Sequence, residues 1–108
     1  MDFIKKIWDK QAIDFKSSHA ASWKDLYAIN LEIELIGRYI NRGDAVLDVG
    51  CANGYSTFNQ LKKNPSKIIG IDFSDEMIKN SLAEKANAYS DIDIDFETGD
   101  IRNLRFAD

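Results

Sequence analysis

The segment Val46-Leu47-Asp48-Val49-Gly50-Cys51-Ala52-Asn53-Gly54-Tyr55-Ser56 gathers residues whose types and spacing suit chemistry at the end of a strand. Its pattern is D-x-G-x-A-x-G. Small residues at Gly50, Ala52 and Gly54 let the backbone approach a ligand closely and present amide groups at a helix start. A small-residue turn alone is an ordinary strand-to-helix connection, but two features narrow it. Asp48 stands two positions before the first glycine. A dinucleotide site places its pyrophosphate at such a turn and gains nothing from a nearby negative charge, whereas a ligand with an ammonium group does. The dinucleotide fingerprint G-x-G-x-x-G also needs a glycine where this chain has Tyr55.

Two later positions continue the pattern. Asp72 follows Gly50 by 22 residues, at the end of Lys67-Ile68-Ile69-Gly70-Ile71. An acidic residue at that distance, on the tip of the next strand, can accept both hydroxyls of a ribose. Its plainer role is to precede and cap the helix that starts at Ser74. Phe73 can lie against an adenine face. Asp100, in Thr98-Gly99-Asp100-Ile101, is placed to accept from an adenine amino group; otherwise it is a solvated loop acid. The three strand tips together suggest a ligand with an ammonium end, a ribose and an adenine.

The elements that must position these residues are legible from periodicity. Ile4, Ile7, Trp8, Ala12 and Phe15 predict a helix over 2–15, and 16–21 a polar connection. A second helix carries the stripe Leu26, Ile29, Ile33, Ile36 and Ile40, with Ser22 and Asp25 resembling a capping box. Gly43, after Asn41-Arg42, suits a left-handed turn. The apolar run Ala45–Val49 predicts a strand buried on both faces. A helix over 55–63, packed through Phe58 and Leu61, ends at Asn64-Pro65-Ser66, and 67–71 form the second buried strand. Ser74 caps a helix with the stripe Ile78, Leu82, Ala86 and Tyr89, and Asp75 and Glu76 sit in its positive first turn. Ile92, Ile94 and Phe96 alternate with acids as a third strand with one wet face. Strands alternating with helices predict a βαβαβ unit and a parallel sheet.

With these motifs in place, the sequence resembles the class I S-adenosylmethionine-dependent methyltransferases. The matching stretches are VLDVGCANGYS (46–56), IIGIDFSDEMI (68–78) and DFETGDIRNLRF (95–106), in the family's order, and the resemblance covers 43–106. It implies that Asp48, Gly50, Cys51, Ala52, Asn53 and Gly54 surround the methionyl part of S-adenosylmethionine. It further implies ribose binding by Asp72, adenine packing by Phe73 and Met77, and an adenine-edge position at Asp100 and Ile101. Ala52 departs from the glycine the family often has there. The family's sheet has seven strands, with four after the third, and its catalytic and substrate-positioning residues come from beyond the third strand. The resemblance therefore implies a truncated, three-layer Rossmann-like α/β sandwich, strands in order 3-2-1, with residues 1–42 as a helical cover and 43–108 as the first half of the cofactor domain. No catalytic residue is assigned, and the chain alone is expected to be inactive.

Composition sets the outer limits. The chain has 108 residues, 44% hydrophobic and 30% charged, which excludes a disordered or fibrous protein and allows one domain. A net charge of −4 argues against a free-standing nucleic-acid binder and leaves a small-molecule acceptor as the expectation. One cysteine excludes an internal disulfide, and with no apolar membrane-length run and no leader-like start the expected location is the cytoplasm. Cys51 reads as a small loop residue, because the one histidine, His19, is distant in sequence and no activating base is evident. His19 reads as a surface residue, and Trp8 and Trp23 as helix anchors with a covering role as the alternative. Asp91, Asp93 and Asp95 do not make a calcium loop, because Phe96 and Arg102 stand where Gly and Glu are needed. Lys5-Lys6 and Lys62-Lys63 read as solvated charges. The rival readings are a dinucleotide-binding oxidoreductase fragment and a non-enzymatic adenosine-ligand module. The strand Ala45–Val49, central in the family's sheet, is expected here to have an open edge prone to self-association.

Overall fold

The structure, a computed structural model, describes residues 2–15, 18 and 25–103. Parallel strands cannot be joined by a tight turn and need crossovers. The chain supplies them in the order α1 (Asp2–Phe15), α2 (Leu26–Gly37), β1 (Ala45–Val49), α3 (Tyr55–Asn59), β2 (Lys67–Asp72), α4 (Asp75–Ala88) and β3 (Ile94–Thr98). The sheet is parallel in the order β1-β2-β3, which is the expected 3-2-1 read from the opposite edge. Its register sets Asp48 beside Gly70 and Asp72 beside Thr98.

Local chemistry fixes the helix ends. Asp25 caps α2, its carboxylate accepting from the Ala28 amide at 3.1 Å. The cap is therefore Asp25 itself, and Ser22 of the expected capping box lies outside the described residues. Ile29, Ile33 and Gly37 form the buried line of α2, while Leu26 and Ile36 stay exposed. Helix α3 is shorter than expected: after Asn59 it tightens into a 3-10 turn, Gln60–Lys63, which ends at Asn64 in the left-handed region. Ser74 caps α4, its hydroxyl accepting from the Met77 amide at 3.2 Å.

The core is the cluster Cys51, Phe58, Ile68, Ile78, Ile94 and Phe96. Phe58 stacks on Tyr89 with ring centroids 4.6 Å apart and meets Phe96 at 5.1 Å. Gly70 makes this packing fit: a Cβ there would lie 2.7 Å from the Phe96 ring and 3.0 Å from the Cys51 sulfur.

Three expected stripes are corrected by this packing. The buried line of α4 is Met77, Ile78 and Ser81, with Leu82 and Ala86 exposed, because α1 and β3 meet the helix on that side. Ile92 precedes β3 and is exposed. Strand β1 is not covered on both faces: Leu47 and Val49, on one face of the sheet, are 42% and 38% exposed, and among the described residues β1 pairs only with β2. Lys5 and Lys62 are also not simple solvated charges. Lys5 pairs with Asp9 and Asp75, and Lys62 with Glu34.

Candidate functional site

The loop leaving β1 takes its shape from alternate residues in the left-handed region: Gly50 at φ +79°, Ala52 at +51° and Gly54 at +86°. Ala52 is the strained member, because an alanine there meets the penalty that glycine avoids. The loop folds back on β2 rather than presenting bare amides. The Gly50 and Cys51 amides both donate to the Ile71 carbonyl, at 2.7 and 2.9 Å. The Gly54 amide donates to the Cys51 carbonyl at 3.0 Å. Asn53 is buried and structural: its Oδ1 accepts from the Tyr55 amide at 3.1 Å and its Nδ2 donates to the Ser18 carbonyl at 2.7 Å. The expectation of amides aimed at a ligand therefore gives way to a loop whose small residues supply surface. At Gly50 an added Cβ would meet nothing within 4 Å, so the loop opens outward there.

Asp72 closes the loop from the other side. It is 8% exposed, and its two oxygens accept the Ala52 amide at 2.9 Å and the Ser74 amide at 3.0 Å. A carboxylate has about four acceptor positions, so two remain for a ligand. A cavity of about 220 Å³ stands here, lined by Trp8, Gly50, Ala52, Asp72, Phe73 and Met77. Five of these are residues named or implied for the ligand from sequence; Trp8 enters from α1.

Asp48 lies behind the same loop. Its Oδ2 accepts from the Thr57 hydroxyl at 2.6 Å. Burial raises its pKa, and the Asp72 and Glu32 charges act in the same direction. It lines a larger cavity of about 370 Å³, between α2, β1 and the start of α3, which shares Gly50 and Ala52 with the smaller one. Thr57 escaped the sequence reading, since nothing in the spacing marks a helix threonine as the partner of a strand carboxylate. Cys51 is buried, and desolvation together with the Asp48 and Asp72 charges pushes its thiol pKa up, which makes it a poor nucleophile.

Asp100 stands apart from both cavities. Arg102 grips its carboxylate, with the Arg102 Nε 3.0 and 3.1 Å from its two oxygens, a second guanidinium nitrogen at 2.5 Å and the Arg102 amide at 2.9 Å. These donors hold the Asp100 pKa down at about 2. The backbone of Ile101 opens the 3-10 turn Ile101–Asn103, and its side chain lies outside what the structure describes. His19 and Trp23 also lie outside the described residues.

The residues present fit an adenosine-bearing cofactor: a half-satisfied acid at a strand tip, an aromatic ring and an apolar helix residue line one cavity with an outward-opening glycine loop. Comparison with known proteins points the same way. A family model described as a methyltransferase domain matches residues 40–108. The chain is 43% identical over 53 residues to a tRNA U34 carboxymethyltransferase of Campylobacter lari, covering 44% of this chain and 18% of that protein. It is 33% identical over 73 residues to a carboxy-S-adenosyl-L-methionine synthase of Haemophilus ducreyi, covering 65% and 30%. Among solved structures, the complex of the Haloferax volcanii Trm112 methyltransferase activator with a putative methyltransferase superposes with a TM-score of 0.71 at 26% identity, over 94% of this chain and 42% of that one. The chain thus spans less than a third of the length of these curated relatives. The fold, the loop and the match over residues 40–108 together place the chain in the methyltransferase domain family, the class I S-adenosylmethionine-dependent enzymes of Rossmann-like fold.

Proposed function

We propose that the cavity at Asp72 holds S-adenosylmethionine and that the chain is the cofactor-binding part of a methyltransferase. The observation that carries this is Asp72 itself: a buried carboxylate at the tip of β2, half used by two backbone amides, walling a cavity with Gly50, Phe73 and Met77. Its two remaining acceptor positions suit the ribose hydroxyls. Phe73 and Met77 supply apolar surface for the adenine, and Gly50 and Ala52 line both this cavity and the larger one that Asp48 lines. Asp48 contributes negative charge for an ammonium group, in surroundings where a cationic partner offsets the cost of burying its carboxylate. Asp100 and Ile101 line neither cavity, and they would meet the adenine edge only once Arg102 releases the Asp100 carboxylate. When bound, this cofactor supplies a methyl group on sulfonium. Transfer of that methyl to an acceptor nucleophile, with cleavage of its carbon–sulfur bond, would leave S-adenosylhomocysteine. The chain's own residues hold the methyl donor in place for in-line attack.

The acceptor is read as a small molecule, because the net charge of −4 disfavours a phosphate backbone. A single cysteine fits a reducing, cytoplasmic setting. No helix among the described residues is long and apolar enough to cross a membrane. Calorimetric titration with S-adenosylhomocysteine and, separately, with NAD tests the reading. Binding of the first and not the second is the expected result. Binding of NAD alone would replace this reading with the oxidoreductase one.

A further inference from the structure

Helix α2 keeps one line of apolar side chains out of the core. Its buried line is Ile29, Ile33 and Gly37. On the opposite side stand Tyr27, Leu31, Leu35 and, in the turn just past the helix, Tyr39, which are 79%, 48%, 45% and 87% exposed. A step of four residues keeps them on one side of the helix, and at 1.5 Å per residue the line runs about 18 Å along the surface. The helix is held without it. Gln60 Nε2 donates to the Ile33 carbonyl at 3.0 Å, and Asp25 caps the first turn.

Cations gather beside the C-terminal half of this line. Arg38 follows the last residue of the helix. Lys62 pairs with Glu34, and a Cβ at Gly37 would lie 2.9 Å from Lys63 Cε, so the Lys63 stem rests against α2. The hydrogen bond from Lys62, with the charges of Lys63 and Arg38, holds the Glu34 carboxyl below its usual range. Arg42 precedes Gly43, whose amide donates to the Asn64 carbonyl at 2.9 Å, directly after that lysine pair. The carboxylates at this end are already engaged: Glu34 by Lys62, and Asp44 by the Asn41 amide at 2.7 Å. Glu32 lies on the other flank of α2, where it lines the larger cavity. Arg38, Arg42 and Lys63 make no ion pair among the described residues. The net charge of −4 is therefore spread unevenly, with positive charge beside the apolar line.

We propose that this face of α2 docks on an anionic bilayer surface. Leu31 and Leu35 enter the acyl boundary, Tyr27 and Tyr39 sit at headgroup level, and Arg38, Arg42 and Lys63 meet the lipid headgroups. A tyrosine ring suits a boundary that is apolar on one side and wet on the other. The helix has 12 residues, too few to cross a bilayer, and its place is in the plane of the surface. A second copy of the chain fits the face less well. A stable protein contact buries about 800 Å² on each partner, more than one convex helical line offers. The inference is independent of the cofactor reading, since none of these residues lines the cavity at Asp72.

The test is flotation of the 108-residue chain with vesicles of phosphatidylcholine and phosphatidylserine in equal parts, beside vesicles of phosphatidylcholine alone. The chain should float with the first and less with the second, and added salt should weaken the first. Arg38→Gln and Arg42→Gln should each weaken binding about fivefold. Leu31→Gln combined with Leu35→Gln should weaken it about tenfold. Tyr39→Ser, at the most exposed of the four sites, should also weaken it and serves if the double variant does not fold. Leu47→Gln, on the open sheet face, should leave binding unchanged. A parent chain that does not float with the anionic vesicles overturns the proposal. So does unchanged affinity in the α2 variants, or a loss in Leu47→Gln instead, which would move the contact to the sheet. A dimer seen by light scattering, abolished by the double leucine variant and accompanied by no flotation, would give the face to a second copy and overturn it as well.

Discussion

Asp72 Oδ2 accepts the backbone amide of Ala52 across 20 residues of chain at 2.9 Å, so the acid proposed to meet a ribose also holds the loop that leaves β1. On the proposed reading, ligand recognition and loop shape are two uses of one carboxylate. The same residue tethers the Ser74 amide at the head of α4, which makes it the joint between β1, β2 and α4.

Replacing Asp72 should therefore reveal both uses. Hydrogen bonds to a charged group contribute about 1.5–3 kcal/mol. Asp72→Ala is expected to weaken S-adenosylhomocysteine binding by roughly 10- to 150-fold by calorimetry, and to lower stability as well. Unchanged affinity would remove Asp72 from the site.

Asp48 gives a pH signature. Burial raises its folded pKa above the unfolded value, so the folded state favours the protonated acid. Its contribution to stability is largest at acid pH and is lost as pH rises through the folded pKa. Asp48→Asn should raise the melting temperature at pH 7 and raise it less at pH 3.5. The Thr57 hydroxyl can still donate to the asparagine carbonyl, so this contact is kept. A variant less stable than the parent at pH 7 would show that the Asp48 charge has a favourable partner in the free protein.

Gly70→Ala should be costly for steric reasons alone. The new Cβ would sit 2.7 Å from the Phe96 ring, in the middle of the central strand. Forcing extra volume into a packed core costs about 1–3 kcal/mol. Urea unfolding of the variant measures it, and a loss below about 0.5 kcal/mol would mean the ring moves aside freely.

The open edge of β1 should show itself in association. Leu47 and Val49 are exposed on a strand paired on one side only among the described residues. Such an edge is a template for further pairing. Light scattering over a concentration series is expected to show species larger than the monomer, and Leu47→Lys to shift them back toward it. A strictly monomeric parent with rapidly exchanging β1 amides would show that the edge is tolerated bare.

Local pattern in the sequence determined the order of elements, the parallel sheet and the small-residue loop, because periods of two and 3.6 and the positions of Gly, Asp and Ser act within a few residues. Asp72 and Phe73 were legible for the same reason: their distance from Gly50 reflects one strand–helix–strand unit. The tertiary structure alone decided which partners those residues take. Asp9 meets Ser74 across 65 residues and Asn53 meets Ser18 across 35, and no local spacing encodes either pair. It also decided that Ala52 occupies a left-handed position, that Arg102 claims Asp100 and that Trp8 stands in the cavity wall. The apolar run of β1 announced faces to be buried, but how far they are covered depends on neighbouring elements, and here only β2 pairs with it among the described residues.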